Sequence, residues 1–196
     1  MALKYGMYRQ LELLSWKKAA DIFAPYTGDI KLFLNCNPYF IEGDNLDNAL
    51  GIILKAGIKP QDVQLEITER SEVSDYKYFY NQLKNYRSEG FKFAVDDVGG
   101  GFASLESIVR IKPEVLKIER HIVSNLDRDK YKCSMVKFIL AFCEENGISC
   151  VAEGVETRRE YEYLMNMGVN AGQGYYFYRP SPKIDLLDIQ EKLWKC

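Results

Sequence analysis

The alternation of strand-like and helix-like segments constrains the fold of this chain more than any other feature. Runs rich in β-branched and aromatic residues occur at 30–36, 63–69, 91–97, 114–120, 148–154 and 171–180. Helix-like segments separate these runs, beginning at 7–23 and ending at 184–194. In the first of them Met7, Leu11, Leu14 and Ile22 recur at helical spacing. Because strand-like runs never follow one another directly, we expect an α/β fold with a parallel sheet and covering helices. Periodicity alone leaves both an open doubly wound sheet and a closed (β/α) barrel as alternatives.

The composition excludes several functional classes. The 196 residues carry a net charge of -2, which offers no basic field to DNA, RNA or anionic lipid. No apolar run approaches the roughly 20 residues that cross a membrane, and residues 1–10 lack the apolar core of a signal peptide. The five cysteines lack the paired spacing of zinc sites, so we expect buried free thiols. These features predict a cytoplasmic protein without membrane or nucleic-acid contact.

Polar side chains recur where the predicted strands end. In a parallel sheet the carboxyl ends of the strands share one face, which is where such folds place their active sites. Each residue taken alone has the alternative interpretation of a helix N-cap or turn residue. Together they predict an acidic pocket, and its members are Asn35, Glu66, Asp96, Asp97, Lys117, Glu153 and Gln173.

The residue types of this pocket indicate a hard divalent cation. Carboxylate and amide oxygens suit magnesium, manganese or calcium, whereas the single His121 excludes a zinc site made of several imidazoles. Two such ions, about 3.5–4 Å apart, would activate water and bind a phosphoryl oxygen. Lys117 would then stabilise phosphate charge, and Glu153 is a candidate general base. A Schiff base on Lys117 is an alternative chemistry for a strand lysine.

Five ordered motifs resemble those of one family. They are LEITE (65–69), DDVGGGFASL (96–105), LKIER (116–120), VAEGVET (151–157) and QGYYFYRP (173–180). From about residue 3 to about residue 182 the chain resembles the EAL domain, the bacterial cyclic di-GMP phosphodiesterase. The resemblance implies a (β/α) TIM-type barrel that hydrolyses cyclic di-GMP to linear pGpG with Mg²⁺ or Mn²⁺.

The resemblance also implies a role for each site residue. The implied metal ligands are Asn35, Glu66, Asp96 and Asp97. The implied catalytic residues are Lys117 and Glu153. The residues that would bind substrate or support the site are Gln173, Glu69, Glu119 and Glu156. Glu119 stands where the family has aspartate, which lengthens the reach of that carboxylate.

The front of the family pattern is missing, because the chain contains no Glu-Ala-Leu motif. We therefore expect residues 1–196 to be a single EAL-like domain that lacks its first two strands. The barrel would then be incomplete, with about six of its eight strands. One interpretation is a shortened piece of a longer phosphodiesterase with fused sensor or cyclase domains, weak or inactive alone. A second is a catalytically silent module that binds cyclic di-GMP or a protein partner. A third is a homodimer in which two copies cover the exposed sheet edges.

Overall fold

The computed structural model describes residues 7–27, 30–43, 45–67, 75–100 and 105–181, which belong to two compact units. The first unit comprises Met1–Val95 and Ser104–Pro113, and the second comprises Asp96–Ala103 and Glu114–Cys196. Two predictions, the role of Glu69 and the helix at 184–194, lie outside the described residues.

The first unit contains parallel strands separated by helices. In chain order its elements are α1 (Tyr8–Phe23), β1 (Leu32–Cys36), α2 (Pro38–Glu42), α3 (Leu46–Lys55), β2 (Val63–Ile67), α4 (Tyr76–Ser88), the first part of β3 (Lys92–Val98) and α5 (Leu105–Ile111). β2 pairs in parallel with β1 and with β3, in a register that places Asn35 opposite Glu66. All five residues of β2 are buried, as expected for a strand covered on both faces.

The buried face of α1 differs from the apolar spacing that predicted the helix. Met7, Leu11, Leu14 and Ile22 are exposed. The buried residues are Glu12, Trp16, Ala20 and Phe23, which also recur at helical spacing. An acid and an indole therefore face the interior of the first unit, and both become important at the end of β1.

The second unit repeats the strand-and-helix pattern. It contains the end of β3, then β4 (Val115–Ile118), α6 (Arg120–Val123), α7 (Lys130–Asn146), β5 (Ser149–Glu153), α8 (Arg158–Met167) and β6 (Ala171–Gln173). β5 pairs in parallel with β4 and with β6. Within the part of the chain that the structure describes, no helix is long and apolar enough to cross a membrane.

The last strand is shorter than the sequence predicts. The run at 171–180 was expected to be one strand, but β6 covers only Ala171–Gln173. Gly174 then turns the chain, and the amide of Tyr176 donates to the carbonyl of Val155 at 3.0 Å. Tyr176 and Phe177 pack on Tyr161 of α8, at ring distances of 5.4 and 5.6 Å. Aromatic packing on a helix thus overrides the β-propensity of the segment.

The predicted free thiols are present among the described residues. Cys36, Cys143 and Cys150 are buried and unbridged, and Cys133 is free and half-buried. Cys196 lies outside the described residues. Burial raises the pKa of Cys36 well above its ordinary value, so this thiol acts as a small apolar side chain.

Candidate active site

Two consecutive carboxylates at the end of β3 point into the same region. Neighbouring strand residues normally point to opposite faces. Asp97 breaks this alternation, because its φ of 56° lies in the left-handed region that aspartate tolerates better than most residues. Carboxylate oxygens of Asp96, Asp97 and Glu153, one from each residue, lie within 4.8 Å of one another. We call these three residues the acidic cluster.

Lys117 is the cation beside the acidic cluster. It lies in the middle of β4, is only 3% exposed, and its Nζ is 2.6 Å from Oε1 of Glu153 and 3.4 Å from Oδ1 of Asp96. A buried ammonium group requires such partners, because transferring an unpaired charge out of water is strongly unfavourable. β4 and β5 are paired neighbours, so the sheet itself brings Lys117 and Glu153 together.

The acidic cluster fits a divalent cation better than it fits Lys117 alone. The four side chains comprise three carboxylates and one ammonium group. Oδ1 of Asp96 is buried and has no hydrogen-bond partner, although the Lys117 ammonium lies at ion-pair distance. Closely spaced carboxylate oxygens with spare lone pairs are what hard cations such as Mg²⁺, Mn²⁺ and Ca²⁺ prefer. Asp96, Asp97 and Glu153 are the residues that would hold such an ion.

Gln173 and Glu119 are further predicted site residues of the second unit, and each follows or ends a strand next to those of the acidic cluster. Gln173 lies opposite Glu153 in the β5–β6 register, and its carbonyl accepts from the Val155 amide at 3.0 Å. Glu119 follows β4, donates its amide to the Val98 carbonyl at 3.1 Å and contacts His121 through its carboxylate. Its side chain also lies against Gly100, where an added Cβ would be 2.2 Å from Oε2.

Glu156 contacts the turn after β5. Its carboxylate forms a 2.7 Å ion pair with Arg120, whose stem packs on Gly154. Its amide donates to Glu160, the acid of the predicted capping box, which the structure confirms with Thr157 at the N-cap. Burial alone would raise the pKa of Glu160, but donated hydrogen bonds from three backbone amides and from Thr157 lower it.

Asn35 and Glu66 lie in the first unit, and the structure places them side by side. They are register partners at the carboxyl ends of β1 and β2. Asn35 is exposed, whereas Glu66 is buried with 7% of its surface accessible. An amide and a carboxylate on neighbouring strands therefore form a pair of oxygen donors in this unit.

The sequence did not reveal which residues support Asn35 or Glu153. Trp16 and Glu12 of α1 hydrogen-bond the backbone at Asn35 and Asn37, and Arg120 covers the turn that follows Glu153. Desolvation raises the pKa of Glu12 to about 7, against its hydrogen bond from Asn37. The only available signal was weak: Glu12 and Trp16 are one helical turn apart in a segment predicted to be a helix.

Comparison with known proteins identifies the family. The EAL domain model matches residues 1–180. The chain belongs to the EAL domain family. Among curated relatives, the cyclic di-GMP phosphodiesterase RocR of Pseudomonas aeruginosa is 29% identical over 177 residues, which are 90% of this chain and 44% of RocR. The bifunctional diguanylate cyclase/cyclic di-GMP phosphodiesterase MucR of the same organism is 30% identical over 76% of this chain and 22% of MucR.

Solved structures confirm the fold class. Klebsiella pneumoniae BlrP1, in complex with cyclic di-GMP and either calcium or manganese, superposes with a TM-score of 0.82 at 30% identity. The match covers 90% of this chain and 46% of BlrP1. This confirms the predicted α/β fold of the EAL TIM-barrel type. This EAL chain spans less than half of the length of these relatives, at 44% of RocR, 22% of MucR and 46% of BlrP1.

Proposed function

We propose that this EAL domain binds cyclic di-GMP and hydrolyses it to linear pGpG with the help of Mg²⁺ or Mn²⁺. The observation that carries the proposal is the acidic cluster with the buried Lys117 beside it. Relatives that bear the names of cyclic di-GMP phosphodiesterases, and a structural neighbour with cyclic di-GMP and manganese, support the choice of substrate and ion. The oxygen-only donor set is also one that suits magnesium.

The acidic cluster would hold a divalent ion. Family membership separately suggests that Asn35 and Glu66, which are register partners in the first unit, are metal ligands. A bound divalent ion lowers the pKa of water and neutralises phosphate charge. The residues of the chain itself provide the rest of the chemistry. The oxygen of Asp96 that lacks a hydrogen-bond partner is available to a ligand without breaking an existing hydrogen bond.

Lys117 and Glu153 would divide the proton and charge chemistry. The Lys117 ammonium lies 2.6 Å from Oε1 of Glu153, and the Glu153 carboxylate would accept a proton from the attacking water. The Lys117 ammonium, buried and pointing at the same carboxylates, would stabilise negative charge that develops on a phosphate oxygen. Gln173, opposite Glu153, would contribute an amide at the edge of the site.

Chromatography of cyclic di-GMP incubated with the protein and Mn²⁺ tests this function. We expect linear pGpG, and we expect Glu153→Gln to lower the rate by about 10²-fold or more, because a general base contributes that much. Glu145→Gln makes the same chemical change at an exposed position of α7 and should leave the rate unchanged. Thermal unfolding of both variants shows whether the fold is retained.

Two other outcomes would change the assignment. Cyclic di-GMP binding without product would support the silent binding module instead. Neither binding nor product would contradict both proposals.

The location and assembly of the domain are further proposals. A cytoplasmic location agrees with the four free thiols among the described residues, since reducing compartments preserve such thiols. Fused sensor or cyclase domains agree with the bifunctional name of MucR, of which this chain spans 22%. A homodimer stays a separate proposal, in which two copies cover exposed sheet edges. Size-exclusion chromatography with light scattering measures the molar mass in solution and therefore tests the homodimer directly.

A further inference from the structure

Side chains of α1 hold the backbone on both sides of Asn35. The indole Nε1–H of Trp16 donates to the carbonyl oxygen of Asn35 at 2.9 Å. Oε1 of Glu12 accepts from the backbone N–H of Asn37 at 2.8 Å. Glu12 and Trp16 are one helical turn apart, so they lie on the same face of α1. Two consecutive turns of the helix thus bind the end of β1 through hydrogen bonds as well as packing.

These contacts are buried and directional. Trp16 is 1% exposed and packs on Phe40 at a ring distance of 4.8 Å, while Glu12 is 7% exposed. Oε2 of Glu12 is buried without a hydrogen-bond partner, which is an unfavourable state for an acid. An apolar side chain would fill the same space without this penalty. The acid at this position instead provides a hydrogen-bond acceptor for the Asn37 amide, which an apolar side chain could not.

The other side of β1 is held by the sheet. β2 pairs with β1 in parallel, with Asn35 opposite Glu66 and Cys36 opposite Ile67. Asn37 itself caps α2, since its Oδ1 accepts from the Tyr39 amide at 2.9 Å. Asn35 is thus the last exposed residue of a strand whose end is bound by β2, α1 and α2.

We infer that Trp16 and Glu12 are positioning residues, which orient the side-chain amide of Asn35 toward a divalent cation. The inference rests on the proposed function, in which Asn35 is a ligand. Groups that orient a ligand through hydrogen bonds commonly change metal affinity by about 10- to 100-fold when removed. The expected effect here lies at the lower end, because the bonds act through the backbone.

A double-mutant cycle on Mn²⁺ affinity tests the inference, with free Mn²⁺ measured by electron paramagnetic resonance. Trp16→Phe keeps an aromatic ring but removes the N–H donor. We expect it to raise the Mn²⁺ Kd by about 10-fold when Asn35 is present and by less than about 2-fold when combined with Asn35→Ala. Equal effects in the two backgrounds would overturn the inference, because they would show that Trp16 acts on the fold and not through Asn35.

Two further variants separate positioning from stability. Phe40→Leu alters the ring that packs on Trp16 without removing a hydrogen-bond donor, so it should lower the melting temperature but not the Mn²⁺ affinity. Glu12→Leu removes the acceptor of Asn37, whereas Glu12→Gln retains one, so only Glu12→Leu should weaken Mn²⁺ binding. This second pair provides the same test should Trp16→Phe fail to fold, and equal Mn²⁺ affinities of the two Glu12 variants would contradict it.

The same titrations distinguish failure of this inference from failure of the proposed function. If the unmodified protein bound no Mn²⁺, or Asn35→Ala left its affinity unchanged, the ligand assignment would be wrong and the inference with it. If Asn35→Ala weakened Mn²⁺ binding but Trp16→Phe did so equally in both backgrounds, the inference alone would be wrong.

Discussion

Asp97 decides the geometry of the acidic cluster at the level of single residues. The sequence predicted a sharp turn after the two acids, because glycines follow them. It did not predict that Asp97 itself would adopt a φ of 56°. That choice depends on the surrounding structure, since aspartate visits the left-handed region only when tertiary contacts favour it. Without this turn, consecutive strand residues would separate the two carboxylates.

Glu12 should make the stability of the protein depend on pH. Its pKa rises from 4.5 to about 7 in the folded state, so the folded protein binds the extra proton and loses stability as pH rises through this range. The total loss corresponding to this rise in pKa is about 3 kcal/mol, most of it between pH 5 and pH 8. Urea unfolding at about pH 5 and about pH 8 measures it. Glu12→Gln should remove most of this difference, and an unchanged pH dependence would show that Glu12 is not the group responsible.

Glycine is favoured at position 154 for two reasons, its backbone conformation and its close contact with Arg120, and a pair of substitutions can separate their contributions. Gly154 and Gly147 both lie in the left-handed region, with φ values of 67° and 66°. A Cβ added at Gly154 would lie 2.2 Å from Cγ of Arg120, whereas a Cβ added at Gly147 would contact nothing within 4 Å. Gly147→Ala should therefore lower the free energy of unfolding only by the cost of placing alanine in the left-handed region, about 1 kcal/mol. Gly154→Ala should cost more in chemical denaturation, and combining it with Arg120→Ala should recover part of the loss. Equal costs for Gly154→Ala and Gly147→Ala would contradict this explanation.

At the level of elements, the start of α8 was predictable, whereas the end of the last strand and the short helices α2 and α6 were not. The Thr157 and Glu160 pair predicted the beginning of α8 from sequence alone, because a capping box is a local pattern of four residues. The end of β6 depends on Tyr161, which is far from it in the chain and packs on Tyr176 and Phe177. No local pattern contains that contact.

The capping box of α8 should contribute measurably to stability. Thr157 accepts from the Glu160 amide, and the Glu160 carboxylate accepts from the amides of Thr157, Glu156 and Asn125. Thr157→Ala should lower the free energy of unfolding by about 1 kcal/mol, whereas Thr157→Ser should retain most of it. Both values come from urea denaturation. If the two variants were equally unstable, the hydroxyl would not be the group that matters.

For the molecule as a whole, the alternation of strands and helices was sufficient to predict an α/β fold with a parallel sheet, whereas the barrel type was predicted only from the resemblance to the EAL domain. The six described strands lie within the six predicted runs, apart from a one-residue extension of β3. The division into two units was not predictable, because it falls inside β3, immediately before Asp96. As a result the acidic cluster and Lys117 belong entirely to the second unit, whereas Asn35 and Glu66 belong to the first. The functional roles of all these residues stay predictions, and the identity of the ion is the first that experiment can settle.

Mn²⁺ binding is the most direct test of the central claim that the acidic cluster holds a divalent cation. Asp96→Asn removes the charge on the carboxylate whose Oδ1 lacks a hydrogen-bond partner, while Asp21→Asn makes the same change at an exposed position of α1. In a calorimetric titration we expect the unmodified protein and Asp21→Asn to bind Mn²⁺ equally and Asp96→Asn to lose at least about 10-fold in affinity. Equal binding by all three proteins, or binding by none, would contradict the claim.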